Sequence, residues 1–330
     1  MLDVARAAEV NQSTVSRALD RKHPFSRSET AERIRRIAEE IGYIPDPSAA
    51  SLRRQSTRTI GVVVPRLTDT VMAILYQEIA LAAHDRGLFP LLATTDDDPA
   101  AESEAGRLLL ERRVDGLVLT TARRDGGKFI STLAEQGIPY VLALRTDGSG
   151  PAALGDDRLG GYLAARHLLD LGHTRIALVA GPGYASSAAG REAGFREALR
   201  EAGVAVREQW VRASGFGLDS GEQAGLELLS GPDRPTAIVA VNDNTAIGVT
   251  AVARRLGLRI PEDLSLVGYN DTPIAARLPV PLTSVRVPFR EIAQGTMTLL
   301  DRAVEGLDPQ TLVYAPTLVP RASTVRPTAS

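Results

Sequence analysis

The sequence predicts a small all-α unit at the N-terminus followed by a larger, two-lobed α/β unit. Three observations predict this. The chain has 330 residues, more than one compact core of typical size holds, so two or three domains are expected. The first forty-odd residues read as short helices. From Thr59 onward, β-branched apolar runs alternate with amphipathic helices, and the alternation occurs twice.

The helices come first. Asp3–Ala8 is apolar at Val4, Ala7 and Ala8. After a break at Glu9 and Val10, Asn11 is a good N-cap for a second helix reaching about Leu19. Ser28 caps a third over Glu29–Ile41, with Ile34, Ile37 and Ile41 on one face. Gly42 stops it as the residue past the helix end. Pro45 and Pro47 mark a linker, and Ser48–Arg54 is long enough for one or two helical turns, too few to persist alone in water. The first series of apolar strands is Ile60–Val64, Leu88–Ala93, Gly116–Thr120 and Tyr140–Leu144. The second is Ile176–Ala180, Ala237–Val241 and Leu264–Val267. Each series opens with a strand that runs into proline, TIGVVVP and RIALVAGP. Continuous apolar strands separated by helices make parallel sheets covered on both faces. Two such lobes form a cleft at the carboxyl ends of their strands, a natural ligand site.

Composition narrows the function. There are no cysteines, which excludes disulfides, thiolate metal sites and cysteine nucleophiles and fits a reducing cytoplasm. No apolar run is long enough for a membrane span. The opening MLDVARAAEV lacks a signal-peptide pattern, so export is not expected. The net charge is -2, but residues 1–58 carry +3 and the remainder -5. A basic head on an acidic body is compatible with a head that binds nucleic acid.

Within LDVARAAEVNQSTVSRAL, two short helices flank a tight turn, and Ala7, Val10, Val15 and Leu19 are available to pack together. Gln12, Ser13, Ser16 and Arg17 are left on the outer face, with Ser13 and Arg17 adjacent because they are four apart. Such a helix fits the major groove: arginine binds guanine bidentately, glutamine binds adenine, and serine or threonine reaches bases or phosphate. Spacing alone is met equally by an ordinary surface helix.

The ordered set of short strings is more specific. Asp3-Val4-Ala5, Ser13-Thr14-Val15-Ser16-Arg17 and Gly42-Tyr43-Ile44-Pro45 resemble the headpiece of the lactose/galactose-repressor family. The resemblance continues through Thr59–Pro65, Arg113-Val114-Asp115-Gly116, Leu171-Gly172-His173, Asn242-Asp243, Pro261–Tyr269 and Pro281–Val285. It implies an N-terminal helix-turn-helix headpiece (1–45), a hinge helix and linker (46–58), and a two-lobed periplasmic-binding-protein-like effector domain (59–330). Its first lobe would take about 59–158 and 288–316, and its second about 159–287 and 317–330. It also implies a cytoplasmic homodimer, nucleoid-associated when bound to a roughly palindromic double-stranded operator, and a repressor function controlled by a small molecule, a sugar or sugar derivative by default. No cofactor, metal or membrane partner is implied.

By the same resemblance, Gln12, Ser13 and Arg17 read bases, while Asn11, Thr14 and Ser16 lie at the same interface, the last two against phosphate. Ala49, Ser51 and Leu52 belong to the hinge, where Leu52 is the minor-groove wedge. The sequence departs from the family at Glu9, where glycine is usual in the turn, at Ala50, where arginine is usual, and in a loop over Lys22–Ser28 one residue longer. Little precedes the first helix, so a later-assigned start or a weakened headpiece is expected. Ala322–Ser330 has no leucine heptad, so a dimer is expected rather than a tetramer.

In the effector domain the resemblance implies Arg191 as the forked donor to a ligand hydroxyl or carboxylate, Asn242 as a polar contact, and Phe216 and Phe289 as stacking rings. Asp69, Val71, Met72 and Leu75 form the wall of the first lobe. Asn270 and Leu144 replace common carboxylates, which makes the pocket less acidic. With Arg145 facing the cleft, an anionic ligand gains weight beside the neutral sugar.

Two other classes share parts of this pattern. A solute-binding protein of the same two-lobed fold would need an export signal and no headpiece. A nucleotide-cofactor enzyme would need more than Gly181-Pro182-Gly183-Tyr184-Ala185-Ser186, which lacks the third glycine of the dinucleotide fingerprint. His23, His84, His167 and His173 are scattered without metal-ligand spacing, and Asp96–Asp98 reads as a solvated loop. No catalytic constellation is present.

Overall fold

The computed structural model describes residues 1–19, 28–43 and 56–327. The chain forms two compact units, Met1–Thr57 and Arg58–Ser330.

Among the described residues of the first unit the helices are α1 (Leu2–Ala7), α2 (Gln12–Ala18) and α3 (Glu29–Glu40). The termination signals act as expected. The Ser28 hydroxyl accepts from Ala31 N at 3.3 Å, and Gly42 takes φ 64° just beyond α3. Asn11 is the N-cap of α2 by backbone conformation, though its side chain makes no capping bond. Val4, Ala5, Ala8, Val15, Ile34 and Ala38 form the core, with Val10, Leu19, Ile37 and Tyr43 packed against it. Ala7 and Ile41 are exposed, contrary to the faces expected for them. The buried stripe of α1 runs through Val4, Ala5 and Ala8, and that of α3 through Ala31, Ile34 and Ala38, which turns both residues outward. Arg33 Nη2 donates to the Ala8 carbonyl at 2.9 Å, tying α3 to the end of α1.

Glu9 occupies the turn with φ 49°. An L-residue pays about 1–2 kcal/mol there, which glycine avoids, though glycine costs some unfolded-chain entropy. Glu9→Gly is expected to stabilise the headpiece by about 1 kcal/mol. Hydrogen exchange of the α1 and α3 amides in the full chain then slows by roughly fivefold; unchanged or faster exchange contradicts the strain.

Among the described residues of the second unit, the strands in chain order are β1 (Thr59–Val64), β2 (Phe89–Thr94), β3 (Leu117–Leu119), β4 (Tyr140–Ala143), β5 (Ala152–Gly155), β6 (Ile176–Ala180), β7 (Val211–Ala213), β8 (Ala237–Ala240), β9 (Ser265–Asn270), β10 (Thr283–Arg286), β11 (Thr311–Tyr314) and β12 (Thr317–Val319). The helices are α4 (Thr70–Asp85), α5 (Pro99–Glu111), α6 (Lys128–Glu135), α7 (Asp157–Asp170), α8 (Ser186–Glu201), α9 (Leu218–Leu229), α10 (Asp243–Arg255) and α11 (Phe289–Val304).

The strands make two six-stranded sheets, β11-β5-β4-β3-β1-β2 and β12-β10-β9-β8-β6-β7. Every pairing is parallel except β10 with β12, where Ser284 faces Val319. The two apolar series of the sequence thus become the centres of two sheets. The chain passes between sheets after β5, after β10 and after β11. Strand interiors such as Val62, Val118, Val141, Leu178, Val239 and Val267 are buried, the expected state of a sheet covered on both faces.

Close helix contact sets the second lobe. A Cβ on Gly194 of α8 would lie 1.8 Å from the Arg158 carbonyl, and one on Gly161 of α7 would lie 2.0 Å from the Arg191 carbonyl. Glycine at both points lets the two helix backbones touch, and this contact fixes the turn of α8 that carries Arg191.

Candidate functional site

Loops at the carboxyl ends of both sheets surround one small cavity, lined by Asp69, Val71, Met72, Leu144, Arg145, Ser187, Arg191, Phe216, Asn242 and Asn270. Asp69 follows β1, Leu144 and Arg145 follow β4, Ser187 follows β6, Phe216 follows β7, Asn242 follows β8, and Asn270 ends β9. This is where ligands bind in open α/β sheets.

Asp69 caps α4: its Oδ1 accepts from Val71 N at 3.1 Å and from Asn244 Nδ2 of the other lobe at 3.4 Å. Burial pushes its carboxyl above the ordinary carboxylate value. Asn242 caps α10, its Oδ1 accepting from Thr245 N at 2.8 Å while its Nδ2 donates to the Phe216 carbonyl at 2.9 Å. It therefore shapes the wall and retains one N–H and one lone pair.

Both arginines face the cavity already paired. Arg191 Nε donates to Asp157 Oδ1 at 2.8 Å and Nη1 to the Val241 carbonyl at 2.7 Å, with the guanidinium 3.7 Å from the Tyr269 ring centroid. Arg145 Nη1 donates to Asp97 Oδ1 at 2.7 Å, and both side chains are less than a tenth exposed. Asp97 is therefore not part of a solvated loop. Asp96 is exposed and Asp98 caps α5 through Ala100 N, but Asp97 turns inward to Arg145. Two carboxylates, Asp97 and Asp157, stand directly behind the arginines, and Asp69 has no arginine bonded to it. The surroundings are balanced rather than basic, contrary to what Asn270 and Leu144 imply when counted alone.

The backbone around this cavity is unusual. Asp96, Asp97, Leu144, Asn270 and Asp271 have φ of 52°, 61°, 62°, 98° and 52°. Each left-handed L-residue costs about 1–2 kcal/mol, and such strain persists where the surrounding contacts over-determine it, commonly at ligand sites.

Eight of the ten residues expected in the effector site lie around the cavity. Leu75 and Phe289 do not. Leu75 is fully buried on the core side of α4, and Phe289 is packed in the same core at the start of α11. Their faces meet the sheet, not the cleft. Sequence reasoning missed Ser187 as a lining residue; its place in the first turn of a helix after the Gly181-Pro182-Gly183 loop was the available signal.

Behind Asn242 and Asn270, Asp243 accepts from Ser284 Oγ at 2.6 Å, Thr272 N at 2.7 Å and Thr272 Oγ1 at 2.8 Å. Burial still pushes its carboxyl up to about 6. The unfolded carboxyl titrates near 3.9, so the folded protein binds the proton more tightly. This group's contribution is fully present below about pH 4 and is lost as pH rises through about 6, on the order of 3 kcal/mol. The difference in unfolding free energy between the protein and Asp243→Asn should therefore move in favour of the variant by about that amount between about pH 4 and pH 7. Urea titrations across that range check this; a pH-independent difference contradicts it.

On the headpiece, Asn11, Gln12, Ser13 and Arg17 are exposed along one side of α2, Thr14 and Ser16 are half-buried, and Val15 is buried beneath them. Arg17 Nε reaches the Ser13 carbonyl at only 3.4 Å. Ala49, Ser51 and Leu52 of the expected hinge, and Ala50 beside them, lie outside the described residues. Among the described residues no group of His, Asp or Glu is placed to hold a metal ion, and no helix is long and apolar enough to cross a membrane.

A short helical unit presenting one polar helix face, joined to a two-lobed α/β unit with a cleft at its strand ends, defines a ligand-sensing DNA-binding regulator. Residues 1–46 match the model of bacterial regulatory proteins of the lacI family, and residues 165–324 match the periplasmic binding protein-like domain. The chain is 34% identical to the HTH-type transcriptional regulator DegA of Bacillus subtilis (strain 168), over 98% of this chain and 97% of that one. It resembles the transcriptional regulator CelR–cellobiose complex with a TM-score of 0.76 and 31% identity, covering 97% of this chain and 98% of that one. It also resembles the lac repressor dimer bound to operator and the anti-inducer ONPF, with a TM-score of 0.87 and 28% identity over 98% of each chain. The chain belongs to the lacI family of bacterial regulatory proteins.

Proposed function

We propose that the protein is a cytoplasmic transcriptional repressor that binds an approximately palindromic operator as a homodimer, and that an uncharged effector, a sugar or sugar derivative, controls its affinity from the cleft. The exposed side of α2 supports the DNA reading, with Gln12, Ser13 and Arg17 as base contacts, Asn11 beside them, and Thr14 and Ser16 toward phosphate. Ala49, Ser51 and Leu52 supply the hinge contacts in this reading. The ion pairing of both cleft arginines is the observation that carries the effector class. An anion would have to share Arg145 with Asp97 or Arg191 with Asp157. A neutral polyol needs only their remaining N–H donors, the Asp69 carboxylate as acceptor, and the Phe216 ring as a stacking face. On this count the cleft favours a neutral ligand over an anion. The reading includes no catalytic step.

The coupling between effector and operator equals the effector's differential affinity for the two states of the dimer. Selection of random DNA by the purified protein at low salt, repeated with and without neutral sugars, tests the whole reading. A palindrome is expected to enrich, and one sugar class is expected to change its retention. Failure to enrich any palindrome under all conditions overturns the repressor reading.

A further inference from the structure

We propose that Asp97, Arg145 and Tyr184 form a latch tying the two lobes across the mouth of the cleft, and that breaking it is the step that admits a ring-sized effector. Tyr184 lies in the loop after β6 of the second lobe, while Asp97 and Arg145 belong to the first. The Asp97 carboxylate is shared: Oδ1 accepts from Arg145 Nη1 at 2.7 Å, and Oδ2 accepts from Tyr184 Oη at 3.2 Å. Oδ1 serves its own lobe, while Oδ2 is shared between Arg66 of its own lobe, 3.6 Å away, and the Tyr184 hydroxyl of the opposite lobe.

The surrounding contacts act in the same direction. The Arg123 guanidinium sits 4.0 Å from the Tyr184 ring centroid, and Arg124 N donates to the Tyr184 carbonyl at 2.8 Å. Arg145 lies 5.1 Å from the Phe216 ring of the second lobe, a distance at which a desolvated cation is attracted to the ring face. At the next residue, Thr146 N donates to Ser186 Oγ across the cleft at 2.9 Å. Asp97 and Leu144, which aims Arg145, both have left-handed backbone, so the first lobe places its half of the latch at a conformational cost that the cross-lobe contacts offset.

The cavity that Arg145 and Phe216 line has about 30 Å³, room for roughly two water molecules. Ligand pockets for ring-sized molecules run to several hundred Å³, on the order of 300 or more. A ring enters only if the lobes part or Arg145 swings away, and either movement breaks the Arg145 contacts. The Arg191–Asp157–Tyr269 cluster joins the start of α7 to α8 and β9, elements that pack together, so it shapes the site without setting closure.

This inference rests on the cleft being the effector site, but its test needs no effector. The chain contains no cysteine, so Lys128→Cys and Asp219→Cys, both exposed and on opposite lobes, give unique label positions on the full-length protein. Lobe separation is read by spin-label distance distributions. Tyr184→Phe removes only the hydroxyl, and Asp97→Asn removes the charge that holds Arg145. Each is expected to raise the population of long distances relative to short ones by roughly fivefold, the value of one lost hydrogen bond. Far-UV circular dichroism checks folding, and Tyr184→Phe keeps the test open if Asp97→Asn is poorly folded. Unchanged distances in Tyr184→Phe overturn the latch. A panel of neutral sugars that never binds overturns the effector reading alone and leaves the distance result standing.

Discussion

Arg191→Ala is expected to lower the unfolding free energy by about 3–5 kcal/mol. The side chain is only 11% exposed and its partner Asp157 13%, so water does not replace what the substitution removes. Arg191 supplies one hydrogen bond to Asp157, one to the Val241 carbonyl, and the cation over the Tyr269 ring. Tyr269 Oη also donates to Asp157 at 3.3 Å, but a phenol does not neutralise a carboxylate. Burial already pushes the Asp157 carboxyl up, against the opposing pull of Arg191; without the arginine it must remain charged in an apolar core or take up a proton. Asp157→Asn in the same chain removes the stranded charge, so the double variant should recover a large part of the loss. Urea unfolding of the parent, the single variants and the double variant reads both effects. An Arg191→Ala protein within about 1 kcal/mol of the parent contradicts the buried-pair account. The exposed pair Arg166–Asp170 is the contrast: water screens an i,i+4 surface pair, and losing one partner strands no buried charge.

The parts of this molecule legible in its sequence are those governed by local physics. Ser28 and Gly42 marked the ends of α3 because capping and left-handed stops depend on one residue and its immediate neighbours. The central strands were legible because runs of four to six mostly apolar residues have few other uses. The strands not foreseen are shorter or more polar. Thr283–Arg286 has one apolar residue, Val211–Ala213 has three residues, and Thr311–Tyr314 is partly exposed at a sheet edge. The resemblance put Leu75 on the cleft wall, but it says nothing of which neighbour that helix face meets, and the sheet claims it. Asp97 was illegible for a different reason. Three consecutive aspartates in a turn read as solvated, and its partner Arg145 is 48 residues further on. Asp157 was hidden in the same way, 34 residues before Arg191. The identities of the cleft residues could be carried across from the family, whereas the carboxylates that neutralise its arginines depend on tertiary packing. That second set decides the charge of the ligand the cleft accepts.

Arg17→Ala is expected to weaken binding to the selected operator by roughly ten- to a hundredfold while leaving affinity for unrelated DNA nearly unchanged. The expectation rests on what the side chain does in the folded headpiece. Val15 anchors α2 in the core, and Arg17 lies exposed on the opposite side of the same helix. Among the described residues its one hydrogen bond, to the Ser13 carbonyl, is long at 3.4 Å and uses only Nε, and the terminal nitrogens suit the two acceptors on a guanine edge. Arg33 is the internal comparison. It is also an exposed headpiece arginine, but its Nη2 is spent on the Ala8 carbonyl, so Arg33→Ala should lower headpiece stability without changing base preference. Operator variants substituted one base pair at a time separate these outcomes. For Arg17→Ala, discrimination should collapse at one symmetric pair of positions and persist elsewhere, because a base contact is lost there and nowhere else. If Arg17→Ala instead weakens every sequence equally and reduces the salt dependence by about one counterion per headpiece, Arg17 contacts phosphate. Base reading on α2 then falls to Gln12 and Ser13.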